Sequence, residues 1–517
     1  MLAAVSLAVA ASLHFGVIGG PDFREALVVQ GSPLSLNPLI GSQDPAVRDV
    51  GHLLYRGLLK LDDSAYPRAD LVESYGASSD GLTYLMALRP GQRWSSGGPI
   101  TPADVAATFT FLQTSPAADK RLSTLVQGVK VTVAGANLGF TLPSPRASFP
   151  SALTQIPILP ISALSPPKLA AAAAHPSRPM ATSGAYRVIS ATDASIELEG
   201  NAYASPKPRL RQIRLDLYTT FTGASAAFTG GGADALLATT PQDRAALLKR
   251  GGSTAHDIRT FQFVDLLFNE RVPGLDDPVV RRAIGEAVNR ADIQAGALES
   301  WGGVAQVDAV SRGLAWATTA PVKEAASPVQ ASTDLQKDGW QVAPDGTRVR
   351  GSVQLAYTLT VPDVNPLSTV AAELSSQLAQ IGITLRVAPV AAESFITPDV
   401  TEHDFQVALG DWDNGPDLDV SAFWRSNATP PNGFNVSGAR IDPFLDQALD
   451  VLASSTDPQA RVAAAATVSG DLASDAPAVF LYTPVVAYVT HGSLTAMPMP
   501  TAGDSAARYS DIAAWHH

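Results

Sequence analysis

Residues 367–387, Leu-Ser-Thr-Val-Ala-Ala-Glu-Leu-Ser-Ser-Gln-Leu-Ala-Gln-Ile-Gly-Ile-Thr-Leu-Arg-Val, decide the fold class. Apolar residues recur at helical spacing from Leu367 to Ile381, and Gly382 then suits the left-handed conformation that commonly ends a helix. The next five residues, Ile383 to Val387, have the composition of a strand. A helix that leads directly into a strand indicates helices packed on a sheet, the α/β class.

The same alternation of patterns extends over most of the chain. The predicted strands lie at 26–30, 183–188, 196–199, 213–218 and 478–482. The predicted helices lie at 46–59, from Thr101 onward, at 277–290 and, in two parts, at 445–472. Thr101 followed by Pro102 is typical of a helix start, because threonine caps free N–H groups and proline tolerates the first helical position.

Composition limits both the architecture and the partners. The chain has 517 residues, more than the roughly 250–300 that one core accommodates, so two or three domains are expected. The net charge is -12 and no basic cluster is present in the sequence, which argues against a nucleic-acid partner. The sequence contains no cysteine, which excludes disulfides, thiolate zinc sites and cysteine nucleophiles.

The N-terminal segment 1–20 carries no charged side chain, and the first ionic residues are Asp22 and Arg24. An apolar run of this length at an N-terminus indicates an export signal or a membrane anchor, and Ala8-Val-Ala10 has the form of a cleavage site. The sequence therefore predicts a body located outside the cytoplasm. A buried first helix is the alternative.

Catalytic signatures are absent from the sequence. It contains no His-Glu-x-x-His, no Gly-x-Ser-x-Gly, no phosphate-binding Walker loop and no dinucleotide fingerprint. Its eight histidines do not fall at metal-ligand spacing. We therefore predict a protein that is not an enzyme and holds neither a metal nor another cofactor.

Negative charge is concentrated in the segment 407–419. Asp411, Asp413, Asp417 and Asp419 fall within nine residues, beside Trp412. A buried carboxylate is costly without a partner, and a ligand ammonium group is a partner that arrives from outside. Capping of turns by these aspartates is the structural alternative. A calcium loop fits less well, because Gly415 stands at the fifth place counted from Asp411, whereas a calcium loop has glycine at the sixth.

Three further sites carry open alternatives. Trp412 is either a wall of the ligand site or part of the core. Arg425 either neutralises the aspartate cluster, which we favour, or binds a ligand carboxylate. Residues 31–36, with Ser32 and Leu34, either offer backbone groups to an extended peptide or form an ordinary edge strand.

Short segments spread over residues 25–515 resemble, in order, the extracytoplasmic solute-binding proteins of ABC importers, family 5, the oligopeptide and dipeptide class. The similar segments are Ser35-Leu-Asn-Pro38, Leu54-Tyr-Arg-Gly-Leu-Leu59, Ser79-Asp-Gly-Leu-Thr-Tyr84, Leu88-Arg-Pro-Gly-Gln-Arg-Trp94, Thr101-Pro-Ala-Asp-Val105, Ile158-Leu-Pro160, Ser183-Gly-Ala-Tyr186, Phe268-Asn269, Asp277-Pro-Val-Val-Arg281, Asn289-Arg290, Asp338-Gly-Trp340 and Ile381-Gly-Ile383.

This resemblance implies a periplasmic-binding-protein-like α/β fold (type II, cluster C), with two hinged lobes and an extra inserted domain. Lobe I would comprise residues 21–50, 177–262 and 480–517. Lobe II would be the insertion at 51–176, and lobe III would comprise 263–479. The ligand would lie between lobes I and III, which close over it by a hinge motion.

The resemblance also implies a function: capture of a dipeptide or oligopeptide by a monomeric receptor and its delivery to ABC permease subunits in the membrane. Asp413-Asn414-Gly415 is similar to the ammonium-binding segment of the dipeptide branch, which makes Asp413 the first choice. Asp411, Trp412, Asn414, Gly415 and Asp417 are expected to line the site with it. The branch's carboxylate-binding arginine has no counterpart in residues 361–366.

Two other functions remain compatible with the sequence. One is a receptor for a non-peptide ligand such as a metal chelate, a sugar or a cationic metabolite, since the tryptophan spacing differs from that of the peptide binders. The other is a regulatory protein that keeps the fold without transport.

Overall fold

The computed structural model describes residues 21–31, 33–164, 180–306, 308–310, 314, 326–400, 402–430, 433–438, 442–492, 494 and 497–517. The apolar segment 1–20 and Ser32, both named in the sequence predictions, lie outside the described residues. Within the described ranges, no helix combines the length and the apolar character needed to cross a membrane.

The described strands are β1 (Phe23–Val28), β2 (Leu59–Leu61), β3 (Pro67–Ala69), β4 (Val72–Ala77), β5 (Thr83–Leu88), β6 (Lys130–Ala134), β7 (Asn137–Thr141), β8 (Tyr186–Ala191), β9 (Ser195–Gly200), β10 (Gln212–Tyr218), β11 (Ala235–Ala238), β12 (Ser253–Arg259), β13 (Gln262–Phe268), β14 (Gly303–Ala305), β15 (Gln341–Val342), β16 (Arg348–Arg350), β17 (Val353–Gln354), β18 (Ala356–Pro362), β19 (Thr384–Val390), β20 (Val407–Asp413) and β21 (Ala478–His491).

The described α-helices are α1 (Pro45–Leu54), α2 (Pro102–Thr114), α3 (Lys120–Leu125), α4 (Phe149–Leu153), α5 (Phe221–Thr229), α6 (Pro241–Leu248), α7 (Pro278–Ala287), α8 (Arg290–Ala295), α9 (Pro328–Lys337), α10 (Leu367–Ala379), α11 (Ala392–Ser394), α12 (Ser421–Trp424), α13 (Pro443–Ser454) and α14 (Pro458–Asp475). Short 3₁₀ turns at Ile161–Ala163, Ser505–Tyr509 and Ile512–Ala514 complete the described helical segments, with a π-helical turn at Phe395–Val400.

A mixed sheet of twelve described strands has two parts that share the long strand β21. In the first part, β1 lies parallel to both β10 and β11. In the second, β13 is antiparallel to β20 and β21, and β18 is parallel to β19 and β20. The segment Ala478–Tyr482 of β21 pairs with β13, the segment Tyr482–Pro484 pairs with β14, and the segment Val485–His491 pairs with β12. One strand thereby connects both parts of the sheet.

Most predicted elements are confirmed, and two are wrong in length. The helix predicted at 46–59 ends at Leu54, whose carbonyl accepts the N–H of Ser183 instead of continuing the helix. The strand predicted to end at Tyr482 continues to His491. Proline normally ends a strand, but Pro484 lies where β21 passes from one partner to the next, and its carbonyl accepts the Thr260 N–H at 2.9 Å.

The chain enters and leaves the segment that contains β2 to β7 at one place. The N–H groups of Ser183 and Gly184 donate to Leu54 O at 3.0 and 2.8 Å, so residue 54 and residues 183–184 are neighbours. A Cβ on Gly184 would lie 2.4 Å from Leu53 O, so only glycine allows this approach. This geometry is that of an insertion; the exact lobe boundaries given above remain predictions.

Both faces of the β13–β20 part of the sheet are covered. One face packs Leu266, Leu409 and Leu481 against α7, α8 and α10, and the other packs Phe263, Trp412 and Phe480 against α12, α13 and α14. Burial on both faces explains the continuous apolar run Ala478–Tyr482, which predicted the first part of β21 from the sequence.

A fully buried arginine connects the two ends of the described chain. Arg508 lies 2.8 Å from Glu25 Oε1 on β1 and 2.8 Å from Asp49 Oδ2 on α1. The Tyr488 hydroxyl on β21 donates to Glu25 Oε2 at 2.7 Å. Arg508 is 0% exposed, and the stacked Tyr509 ring lies 4.2 Å below its guanidinium. Buried charges are tolerated when each has a hydrogen-bonded partner, and here each has one.

We expect Arg508→Met to lower the free energy of unfolding by about 3–5 kcal/mol, because it leaves Glu25 and Asp49 buried without a cation. Urea titration followed by circular dichroism measures this loss. Arg24→Met is the matched control, since Arg24 is exposed and adjacent to Glu25. Equal and small losses for the two variants would contradict a structural role for the network.

Candidate ligand-binding site

Two carboxylates lie on one face at the end of β20. Asp411 and Asp413 are two residues apart on the strand and are both exposed, whereas Trp412 between them points to the opposite face and is 7% exposed. Among the described residues, no lysine, arginine or histidine nitrogen lies within 4.0 Å of either carboxylate. The protein therefore leaves this pair of negative charges without a cation.

Asp411 combines an accessible side chain with a crowded environment. Gln262 Nε2 lies 3.5 Å from its Oδ2. Desolvation by the surrounding protein and, to a smaller extent, the charge of the nearby Asp413 carboxylate together raise the pKa of Asp411 to about 7.

The buried face of β20, opposite Asp411 and Asp413, packs against aromatic rings and a buried aspartate. The Trp412 indole N–H donates to Asp265 Oδ1 at 2.8 Å, and its ring contacts Phe395 and Phe423 with centroids 6.2 and 5.9 Å away. Desolvation, opposed by the hydrogen bond from Trp412, raises the pKa of Asp265 to about 7. A Cβ on Gly410 would lie 2.5 Å from the indole, so this glycine lets the ring lie flat on β20. The structure thus places Trp412 in the core.

The loop after β20 is held by an internal ion pair. Asp417 is 6% exposed and forms a bidentate pair with Arg461 on α14, whose second nitrogen lies 3.3 Å from Oδ2. The Ser151 hydroxyl on α4 donates to the same Oδ2 at 2.7 Å. Asp419 accepts from the Ser421 N–H at 3.0 Å at the start of α12. Asp417 and Asp419 are therefore occupied by the protein itself.

Of the other predicted site residues, Asn414 and Gly415 hold the loop after β20, and Leu34 lies in the core. The Asn414 amide donates to Asp417 O at 2.9 Å, and the Gly415 N–H donates to Asp413 Oδ1 at 2.8 Å, at a positive φ of 68°. Leu34 is 6% exposed and packs in the core that includes β1 and α1. Its segment forms no strand among the described residues.

The prediction that Arg425 neutralises the aspartate cluster is wrong. Arg425 pairs with Asp450 on α13 and not with a carboxylate of residues 411–419. Asp450 is one turn away from Asp446, which caps Ser426 with a 2.9 Å bond, so this arginine closes the contact between α12 and α13. The cation that pairs with a carboxylate of residues 411–419 is Arg461, which binds Asp417 and is far away in sequence.

Several site residues were missed by sequence reasoning, although two left a signal. Asp265 interrupts the apolar run of β13, and Arg461 interrupts the apolar face of α14 formed by Ala465, Val468 and Leu472. A charged residue in an apolar pattern indicates a buried pair. Ser151 and Gln262 left no such signal, because an uncharged polar residue in a sequence does not indicate a buried partner.

No group of three or more histidine, aspartate or glutamate side chains in the described part of the chain is arranged to hold a metal ion.

The chain is similar to known proteins both in sequence and in structure. The family model described as Bacterial extracellular solute-binding proteins, family 5 Middle, matches residues 67–434. Protein XP55 of Streptomyces lividans is 25% identical over 486 residues, which cover 90% of this chain and 84% of that protein.

Solved structures share the architecture. The oligopeptide-binding protein AppA from Bacillus subtilis, in complex with a nonapeptide, is 21% identical with a TM-score of 0.70, covering 96% of this chain and 99% of AppA. NikZ from Campylobacter jejuni, in complex with Ni(L-His), is 20% identical with a TM-score of 0.73, covering 96% of this chain and 100% of NikZ. At these identities the similarity concerns the fold, and it confirms the fold class predicted from the sequence.

The raised pKa of Asp411 predicts a stability cost that depends on pH. Its value moves from 3.8 to about 7 on folding, so the folded state favours the protonated acid, and stability is lost as the pH rises through this interval. Asp411→Asn should match the parent protein near pH 4 and exceed it above pH 7, by about 1 kcal/mol after allowance for solvent screening. Thermal unfolding at both pH values tests this. Asp193→Asn, an exposed change in the β8–β9 turn, should show no such pH dependence.

The pair between Asp417 and Arg461 predicts a different response. Asp417→Leu should lower the free energy of unfolding by about 3–5 kcal/mol, because Arg461 is then buried alone. The double variant Asp417→Leu, Arg461→Met should recover most of that loss, because it removes both charges. Chemical denaturation of the three proteins measures both effects; a double variant as unstable as the single one would show that the pair is not the cause.

Proposed function

The chain belongs to the bacterial extracellular solute-binding proteins of family 5, and we propose that it captures peptides by their positive N-terminus and delivers them to an ABC permease. The family is a transport class that binds substrates outside the cytoplasm, and it is not a class of enzymes. ATP hydrolysis then belongs to the transporter subunits, and this chain supplies binding and release. Binding by a monomer through closure of lobes I and III is part of the proposal.

The observation that carries the proposal is the unequal treatment of four neighbouring carboxylates. Asp417 forms an ion pair with Arg461, and Asp419 accepts a hydrogen bond from the first backbone N–H of α12. Asp411 and Asp413 have no cation among the described residues, and both are accessible. Because two neighbouring like charges repel each other, a ligand ammonium group placed between them is attracted by both carboxylates and relieves that repulsion.

Asp413 is the first choice for direct contact, and Asp411 supports it. One oxygen of Asp413 already accepts the Gly415 N–H, which fixes the carboxylate and leaves its second oxygen for a ligand. Asp411 lies beside Asp413 on the same face of β20, where the Gln262 amide of the neighbouring strand β13 contacts its carboxylate. Trp412 and Asn414 act from behind by holding the strand and the loop.

A peptide ligand also requires partners for its main chain. The backbone N–H of Leu36 has no acceptor among the described residues, and β1 ends before this segment at Val28. We include residues 31–36 in the proposal as the place where an extended peptide pairs through main-chain hydrogen bonds, because such pairing tolerates many side chains. Leu34 then supports the segment from the core.

A comparison of free and blocked peptides tests the proposal. Calorimetric titration with dialanine to hexa-alanine, each with a free or an acetylated N-terminus, should show binding that needs the free amine. Asp413→Asn should weaken the free-amine peptides by about 10- to 100-fold and leave the acetylated ones unchanged, because a charge-assisted hydrogen bond is lost. Affinity should also fall as the pH drops below about 7, where Asp411 becomes protonated.

The exposed Asp193→Asn variant serves as the control for a general change of charge and should bind as the parent protein does. If Asp413→Asn weakens free and acetylated peptides equally, this aspartate has a structural role. If no peptide binds at all, the ligand is not a peptide, and a cationic non-peptide ligand becomes the better explanation.

A further inference from the structure

Arg121, at the start of α3, leaves most of its hydrogen-bonding capacity unused. Its Nη1 donates to Gln155 Oε1. Its Nε is buried and has no hydrogen-bond partner in the described part of the chain. None of the described carboxylates lies within 4.0 Å of its guanidinium. A guanidinium has five N–H donors in a fixed fork, so this group is equipped to bind an anion that the protein does not supply.

The position of Arg121 is fixed from lobes I and II. Asp119 caps α3 by accepting from the Arg121 N–H at 3.0 Å, and the Asp119 N–H donates to Leu39 O at 2.9 Å. The start of α3 is therefore bound to the loop that follows residues 31–36. The side chain is held by Gln155, whose Nε2 would lie 3.4 Å from a Cβ on Gly415. Arg121 thus lies where this loop, the inserted segment and the loop after β20 meet.

Both positive and negative side chains surround Arg121, but none of the described carboxylates forms an ion pair with it. Burial lowers the pKa of Arg121, and the nearby Arg48 lowers it further, whereas Asp119, Asp504 and Asp413 act in the opposite direction. Of these groups, Asp504 lies 3.8 Å from Arg48 Nε, and Asp119 is committed to capping α3. Asp413 belongs to the carboxylate pair described above. An anionic group at Arg121 would offset both the burial and the repulsion from Arg48.

We propose that Arg121 binds a carboxylate of the ligand, beside the Asp411 and Asp413 pair that binds its ammonium group. This inference rests on the proposed function and extends it, because it defines the ligand class as zwitterionic. The residue lies in the inserted segment, far in sequence from residues 361–366, where the sequence offers no arginine. Since Asp413 acts electrostatically on Arg121, the two charges of the ligand are close together, which favours short peptides.

The carboxylate has two possible sources, the C-terminus of a short peptide or an acidic side chain near its N-terminus. Three probes separate them: trialanine, trialanine amide, and Ala-Glu-Ala amide. The first carries only a terminal carboxylate, the second carries none, and the third carries only a side-chain carboxylate. All three keep the free amine that the aspartate pair requires.

Calorimetric titration of the parent protein and of Arg121→Gln with these probes tests the inference. The parent protein should bind at least one carboxylate probe more tightly than trialanine amide. Arg121→Gln should weaken that probe by about 10- to 100-fold and leave trialanine amide unchanged, because only a charge-assisted pair is lost. Arg121→Lys should restore part of the affinity, since lysine keeps the charge without the fork.

Lys120→Gln is the matched control: it removes the same charge from the adjacent, exposed position of α3 and should change no affinity. If Arg121→Gln weakens all three probes equally, or none, the inference is overturned while peptide capture stands. If the parent protein binds none of the three probes, the peptide function fails for short peptides and this inference fails with it.

Discussion

The structure depends on one buried cation. Arg508 joins β1 through Glu25, α1 through Asp49, and β21 through the Tyr488 hydroxyl that shares Glu25. A guanidinium can hold both carboxylates at 2.8 Å only if all three elements keep their positions. Because β21 continues into the other part of the sheet, its fixed end also positions β13, and β13 positions β20. The place of Asp411 and Asp413 thus follows from contacts at the far end of the same strand.

The binding site is defined by which charges the protein leaves unpaired. Arg461 and Ser151 use both oxygens of Asp417 and hold the loop after β20 against α4. The same loop then presents Asp413 beside Asp411 with no cation among the described residues. Arg121 is held by Gln155 and forms no ion pair with a carboxylate in the described part of the chain. A ligand with one positive and one negative group would supply a partner both to the Asp411 and Asp413 pair and to Arg121.

Much of the fold could be predicted from local patterns. The helix at Leu367–Ala379, its end at Gly382 with a φ of 82°, and the strand that follows are as predicted, because periodicity and glycine chemistry act over a few residues. The extension of β21 beyond Pro484 was not predicted. A proline normally ends a strand, and only the change of pairing partner at that point, from β13 to β12, removes the penalty.

The sequence by itself determined the α/β class, the family resemblance, and the segment in which negative charge accumulates, since each is written in the order and type of nearby residues. Only the tertiary structure decided which carboxylates remain open. Arg425 is near the cluster in sequence yet pairs with Asp450, whereas Arg461, 44 residues from Asp417, forms the ion pair with Asp417. Coulomb attraction depends on distance in space, and a one-dimensional sequence does not contain that distance.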